Sequence, residues 1–121
     1  MQPRIFVIDK TSLSLQVTLD ILEARGYREV YGFYSPAEAL KALRAGVAAT
    51  LVIADLDLPH LDGISLLNAI RRINPATKGI ILTAEPDSAR QMCNGYAVVD
   101  KESLRLPMVL GDAVRSSMSV V

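Results

Sequence analysis

Four short apolar runs in this chain each end in a residue able to do chemistry. Arg4-Ile5-Phe6-Val7-Ile8 ends at Asp9, Leu51-Val52-Ile53-Ala54 at Asp55, Gly79-Ile80-Ile81-Leu82 at Thr83, and Tyr96-Ala97-Val98-Val99 leads through Asp100 to Lys101. An oxygen-rich acidic cluster suits a hard divalent cation such as Mg²⁺, and a hydroxyl and an ammonium beside it suit phosphoryl oxygens. A carboxylate can itself be the nucleophile of phosphoryl transfer, forming an aspartyl phosphate, provided that cations neutralise the developing charge. Asp55 is the candidate nucleophile. Its run is the most abruptly ended, passing through Leu56-Asp57-Leu58-Pro59-His60-Leu61 to Asp62-Gly63. Asp57 either adds acidity to the cluster or faces water.

The apolar runs are partly β-branched and bounded by turn residues, which suits strands buried on both faces. A further strand is expected over Glu29 to Tyr34, making five. Helices alternate with them. Thr11 or Ser12 can cap a first helix that presents Leu15, Leu19 and Leu22, with Val17 and Ile21 beside them, as far as Arg25, before Gly26 ends it. Ser35-Pro36-Ala37-Glu38 is a capping box with proline at the first helical position; Ala39, Leu40 and Leu43 follow before Gly46. Asp62 reads as the cap of a third helix, with Ile64, Leu67, Ile70 and Ile73 inward until Asn74-Pro75. A fourth helix between Glu85 and Asn94 has only Met92 and Cys93 for a face. The last begins near Pro107, with Val109, Leu110, Ala113, Val114 and Met118 inward, and residues 116–121 are expected to fray or form a linker stub.

Alternating strands and helices joined by short loops imply right-handed βαβ units and a parallel sheet covered on both faces. Ligands of such sheets bind beyond the carboxyl ends of the strands, so Asp9, Asp55, Thr83 and Lys101 should converge on one edge. Asp55 lies on the third of five strands, hence mid-sheet with Asp9 next door if the order is the flavodoxin-like 2-1-3-4-5.

Composition removes other classes. The 121 residues, half of them hydrophobic, suffice for one domain with a sizeable core, 1–121. Thirteen basic and thirteen acidic residues cancel, and no basic cluster exceeds Arg71-Arg72, so neither nucleic acid nor an anionic membrane is an expected direct partner. No apolar run approaches the roughly 20 residues that span a bilayer, and no signal segment opens the chain. The lone Cys93 cannot form an internal disulfide, which fits a reducing cytoplasm; it reads as a small, buried or half-buried residue. Neither a dinucleotide-binding nor a P-loop glycine pattern is present.

Phe6-Val7-Ile8-Asp9-Lys10, then Leu51 to Gly63 with its Asp55-x-x-x-Pro59-x-x-Asp62-Gly63 spacing, then Ile80-Ile81-Leu82-Thr83-Ala84, and finally Lys101 together resemble a response regulator receiver domain of two-component signalling. The resemblance covers nearly the whole chain and implies the 2-1-3-4-5 order. It implies Asp55 as phosphoacceptor, charged by a histidine kinase, a phosphotransfer protein or a small phosphodonor, with Asp9, Asp55 and the Asp57 position around Mg²⁺. Thr83 and Lys101 would grip the phosphoryl group. A domain of this kind is a signalling module, catalysing at most its own phosphorylation and dephosphorylation. Its output passes through the fourth helix, fifth strand and fifth helix to a downstream protein, an output domain or a second copy, as hydroxyl and an aromatic side chain move together.

The chain departs from that pattern at particular places. The family has two adjacent acids after the first strand, the second a direct Mg²⁺ ligand, whereas here the pair is Asp9-Lys10. The ammonium should disfavour the ion by Coulomb repulsion; it either pairs with Asp55 in partial substitution for the metal or points to solvent. Lys101 is followed by Glu102 in place of the usual proline and stands closer to Thr83 than expected, which shortens the fourth helix. If Tyr96 were the aromatic switch, the lysine position would fall on Val99. Two rivals follow. One is a phosphorylation-independent receiver that acts purely as a protein-interaction module. The other is a haloacid-dehalogenase-like phosphatase reading Asp55-x-Asp57 as nucleophile and acid/base, disfavoured because that motif belongs on a first strand.

Overall fold

In the computed structural model, which describes residues 2–92 and 95–119, the apolar runs pair into one parallel sheet. Its strands are β1 (Arg4–Ile8), β2 (Glu29–Phe33), β3 (Leu51–Asp55), β4 (Lys78–Thr83) and β5 (Ala97–Asp100), in the order β2-β1-β3-β4-β5. The fold is therefore the flavodoxin-like one. The helices are α1 (Ser12–Ala24), α2 (Pro36–Arg44), α3 (Gly63–Ile73), α4 (Pro86–Met92) and α5 (Leu106–Met118).

Side chains alternate across the strands with period two, so the central strands feed two cores. Phe6 and Ile8, Val52 and Ala54, and Ile81 pack on the α2/α3 side with Ala39, Leu43, Leu66, Leu67, Ile70 and, from α4, Ala89. Ile5 and Val7, Leu51 and Ile53, Ile80 and Leu82, and Val99 pack on the other side with Leu15, Ile21, Leu22, Leu110 and Val114 from α1 and α5. Each fully buried Leu, Ile or Phe here contributes about 1.5–3 kcal/mol relative to exposure. Asp9, Asp55 and Lys101 continue the odd-numbered phase of their runs, the phase of the α1/α5 core.

Local signals set the helix ends. Ser35 Oγ accepts the Glu38 N–H, and the Glu38 carboxylate returns to the Tyr34 N–H and the Ser35 hydroxyl, so the capping box forms. Asp62 accepts both the Ser65 N–H at 2.9 Å and its hydroxyl at 2.8 Å. Partial burial works against the Asp62 charge, but those hydrogen bonds outweigh it and hold its pKa below the ordinary value. Gly26 and Gly46 sit beyond α1 and α2 at φ of +91° and +96°, the left-handed conformation that glycine adopts without a Cβ clash.

Other expectations needed adjustment. Thr11 occupies the cap position of α1 without a side-chain cap bond; its N–H instead donates to the Asp9 carboxylate at 2.9 Å. Val17 of α1 and Ile73 of α3 face outward, at 41% and 44% exposure, because Thr18 and Leu66 take the inward positions. The second strand stops at Phe33, the fourth begins at Lys78, and the fifth runs Ala97–Asp100, one residue later than the apolar run. α4 is indeed short. Residues 116–118 are helical rather than frayed, while the readings of Cys93, Asn94 and residues 120–121 fall outside the described residues.

Gly63 couples the fold to the site. Its N–H donates to the Leu56 carbonyl at 2.9 Å, and a Cβ there would lie 2.2 Å from the Asp55 carbonyl oxygen. The start of α3 thus packs directly on the backbone that carries Asp55. Gly63→Ala should destabilise the domain by roughly 2–3 kcal/mol, the scale of an overpacked core position. Urea unfolding measures this; a change under about 0.5 kcal/mol, the range of ordinary surface substitutions, would show that α3 shifts freely from that backbone.

Candidate functional site

The strand ends bring Asp9, Asp55, Thr83 and Lys101 together, because β1 and β3 are neighbours and β3, β4 and β5 follow in sequence across the sheet. Lys101 is fixed by its own backbone, whose N–H extends the ladder to the Thr83 carbonyl at 2.9 Å. Its Nζ then reaches Asp55 Oδ2 at 2.9 Å and Asp9 Oδ2 at 3.1 Å. Asp9 is 2% exposed and the Asp55 side chain 11%, so the ammonium stands between two nearly dry carboxylates. Burial opposes the charge on Lys101, but hydrogen bonds and attraction from Asp55, then Asp9, outweigh it and raise its pKa above the ordinary lysine value. Val99, the alternative lysine position, is buried in the α1/α5 core and does not reach the site.

Asp55 opens into a cleft of about 400 Å³ walled by Leu56, Asp57, Thr83, Ala84, Glu85 and Lys101. Thr83 is buried, and its Oγ1 accepts the Glu85 N–H at 3.0 Å, leaving the hydroxyl proton free to donate into the cleft. Glu85 is the wall residue that motif reading missed. Its position two residues after the strand-ending hydroxyl was the available signal, but an exposed acid in a loop carries none of the periodicity that singles out the others.

Lys10 does not reach Asp55; its side chain lies at the exposed rim of the site. Its Nζ pairs with Asp57 Oδ2 at 2.6 Å rather than with Asp55, and the two side chains are 46% and 82% exposed. The hydrogen bond and charge of Asp57 raise the Lys10 pKa above its ordinary value, opposed by slight desolvation and helped by the more distant Asp55 and Asp9. Asp57 thus sits at the water-facing rim. Its N–H donates to Asp55 Oδ1 at 3.2 Å.

These pairings bear on Mg²⁺. Asp9 offers one oxygen to the Thr11 N–H and the other to Lys101; Asp55 offers one to the Asp57 N–H and the other to Lys101; Asp57 holds Lys10. Among the described residues no three acids stand together so as to hold a metal ion. The expected trio of Asp9, Asp55 and Asp57 is therefore not assembled as an ion site, and the donor set present does not fit one. Lys10 contributes to this: where a second acid would add oxygen ligands, the chain has an ammonium, and that ammonium occupies the Asp57 carboxylate at the rim.

The aromatic partner is also absent from its expected place. Tyr96 donates its hydroxyl to Asn68 at 2.7 Å and lies under the Arg71 guanidinium at 4.5 Å, so it is engaged with α3. Val98 is the residue three before Lys101, and it is aliphatic.

A doubly wound parallel sheet carrying an acid pair, a hydroxyl and a lysine at the carboxyl edge of its strands defines the receiver class of signalling domains. The sequence pattern of the response regulator receiver domain matches residues 5–99, and the chain belongs to that family. It is 33% identical over 85 residues to the C4-dicarboxylate transport transcriptional regulatory protein DctD of Rhizobium meliloti (strain 1021), covering 70% of this chain and 18% of that protein. It is 32% identical over 89 residues to a probable chemotaxis protein CheY of Rhizobium etli, covering 71% of this chain and 67% of that one. Among solved structures, a response regulator receiver domain protein from Clostridium thermocellum superposes with TM-score 0.81 at 30% identity, covering 96% of this chain and 94% of that one. The signal receiver domain of an HD domain-containing protein from Pseudomonas fluorescens Pf-5 gives 0.83 at 28%, covering 98% and 95%. The phosphatase alternative falls with this assignment. Receiver domains generally bind Mg²⁺ and work with histidine kinases and output domains. No helix among the described residues is long and apolar enough to cross a membrane.

Lys101→Met should cost about 3 kcal/mol at neutral pH, the low end for breaking a buried ion pair, since Asp9 and Asp55 are left facing each other. The variant should regain part of that loss as pH falls, when protonating one carboxylate relieves the repulsion. In the wild type the direction is the same, but the change falls in the alkaline range. A raised lysine pKa contributes stability that is complete below about 10.4 and lost only as pH rises through the folded value. Urea unfolding of both proteins from pH 4 to 11 tests this; parallel curves would contradict it.

Proposed function

We propose that this receiver domain accepts a phosphoryl group on Asp55 and uses the event to change a protein-binding surface. The observation that carries the reading is the Lys101 ammonium at 2.9 Å from Asp55, on the wall of a cleft that also receives the Thr83 hydroxyl. One carboxylate oxygen of Asp55 attacks the phosphorus of the donor. The bond from phosphorus to the donor breaks, and the leaving group departs with the electron pair. Lys101 neutralises charge on the arriving oxygens, and Thr83 donates its hydroxyl proton to one of them. Asp9 keeps the ammonium aimed into the cleft from behind.

Thr83 also links the site to the surface. Drawn towards a phosphoryl oxygen, its Oγ1 would release the Glu85 N–H just ahead of α4, giving the phosphorylated and resting states different contacts at that segment. With Val98 in the aromatic position, this route works without a ring swinging in concert. The donor is a histidine kinase, a phosphotransfer protein or a small phosphodonor, in the cytoplasm, and the receiver of the signal is a downstream protein, an output domain or a second copy.

A second reading has its own observation: the resting chain already pairs both ammonium groups with all three acids. A receiver closed in this way would serve as an interaction module without phosphorylation. Intact mass after incubation with acetyl phosphate decides between them. Wild type should gain a phosphate-sized adduct and Asp55→Asn none, while Thr83→Ala should form it about tenfold more slowly, the worth of about 1.4 kcal/mol for one hydrogen bond to a charged group. An unmodified wild type, with a phosphorylated donor kinase as well as with acetyl phosphate, would establish the second reading.

A further inference from the structure

Lys10, paired with the cleft-wall residue Asp57, is a cation beside the cleft that the phosphoacceptor reading leaves without a task. It follows Asp9 directly, its ammonium is anchored to Asp57 alone, and Asp57 is in turn two residues from Asp55 and hydrogen-bonded to it through its N–H. Both side chains of the pair are substantially exposed, so water and salt screen their attraction and the bond is readily exchanged. Lys101, by contrast, is locked between two buried acids. The site thus has one fixed cation on the cleft wall, Lys101, and one movable cation at its rim, Lys10.

Charge bookkeeping shows what the movable one is suited to. Asp9, Asp55, Asp57 and the wall residue Glu85 against Lys10 and Lys101 leave the site with two net negative charges. Transfer from acetyl phosphate converts the Asp55 carboxylate into an acyl phosphate dianion and releases acetate, with the carboxylate oxygen bonding phosphorus as the bond to acetate breaks. The cluster gains one negative charge, and a counter-charge must meet it. Among the described residues no three acids are grouped to hold a metal ion that would supply that counter-charge. Asp55 already attracts the Lys10 ammonium from a distance, and the dianion attached to it carries twice the charge of the Asp57 carboxylate and more acceptor oxygens with which to compete for that ammonium.

We propose that Lys10 is the resident counter-ion of this pocket: held by Asp57 in the resting chain, it transfers to the phosphoryl oxygens of modified Asp55, so that phosphorylation needs no divalent cation. Asp57 is then the resting-state holder of the ammonium and not a metal ligand. The inference rests on Asp55 being the phosphoacceptor, and goes beyond it in naming the cation.

Acetyl phosphate labelling followed by intact mass, in EDTA and in Mg²⁺, tests it on wild type, Lys10→Met, Lys10→Arg and Lys10→Asp. Wild type should label at the same rate within about twofold in both conditions. In EDTA, Lys10→Met should slow at least about tenfold and Lys10→Arg should restore most of the rate. Calorimetric titration with MgCl₂ should show no binding to wild type and measurable binding to Lys10→Asp. Wild-type labelling confined to Mg²⁺, or an unchanged rate for Lys10→Met in EDTA, would overturn the role of Lys10 while leaving Asp55 as phosphoacceptor. Wild type unlabelled in either condition would instead remove the phosphoacceptor reading, and this inference with it.

Discussion

The ammonium of Lys101 between Asp9 and Asp55 is the interaction on which the site depends. Two carboxylates at the ends of adjacent strands, 2% and 11% exposed, repel each other in a medium that screens poorly. A single cation reached from the far edge strand makes the arrangement tolerable. It also ties β5 to β1 across two intervening strands, so the sheet order and the ion pair support one another. β5 itself is only four residues long, and α4 before it is short, so this crossing contact and the packing of α5 hold the edge in place.

Around that fixed charge the pocket has been re-balanced. A receiver domain with an acid after Asp9 gathers carboxylates and leaves their neutralisation to a divalent ion. Here the ammonium of Lys10 stands in that position and draws Asp57 to the rim. Each of the three acids is paired with a lysine.

The chain spans only 18% of the DctD protein it resembles and 67% of the CheY protein, so the receiver fold is common to proteins of different overall build. At the β5 edge of the site, Val98 is aliphatic and Tyr96 is engaged with Asn68 and Arg71, while the Thr83 hydroxyl oxygen accepts the Glu85 N–H ahead of α4.

Much of this was legible before any coordinates. Strands one, three and four announce themselves by apolar runs too short for helices, and Ser35-Pro36-Ala37-Glu38 and Asp62 mark helix starts through hydrogen bonds made within four residues. Such local signals survive without tertiary context, and parallel topology then sends every strand-ending side chain to one edge. The outward turn of Val17 and Ile73 was not legible, because a helix with apolar residues on several sides is oriented only by the surface it meets. Nor was the choice made by Lys10. The sequence determined that Asp9, Asp55, Thr83 and Lys101 would meet at the carboxyl edge of a parallel sheet; the tertiary structure alone decided where Lys10 and Asp57 lie and which cation faces which acid. That pairing depends on differences of a few ångströms between strand ends far apart in the chain, where Coulomb energy changes steeply and sequence spacing carries no information.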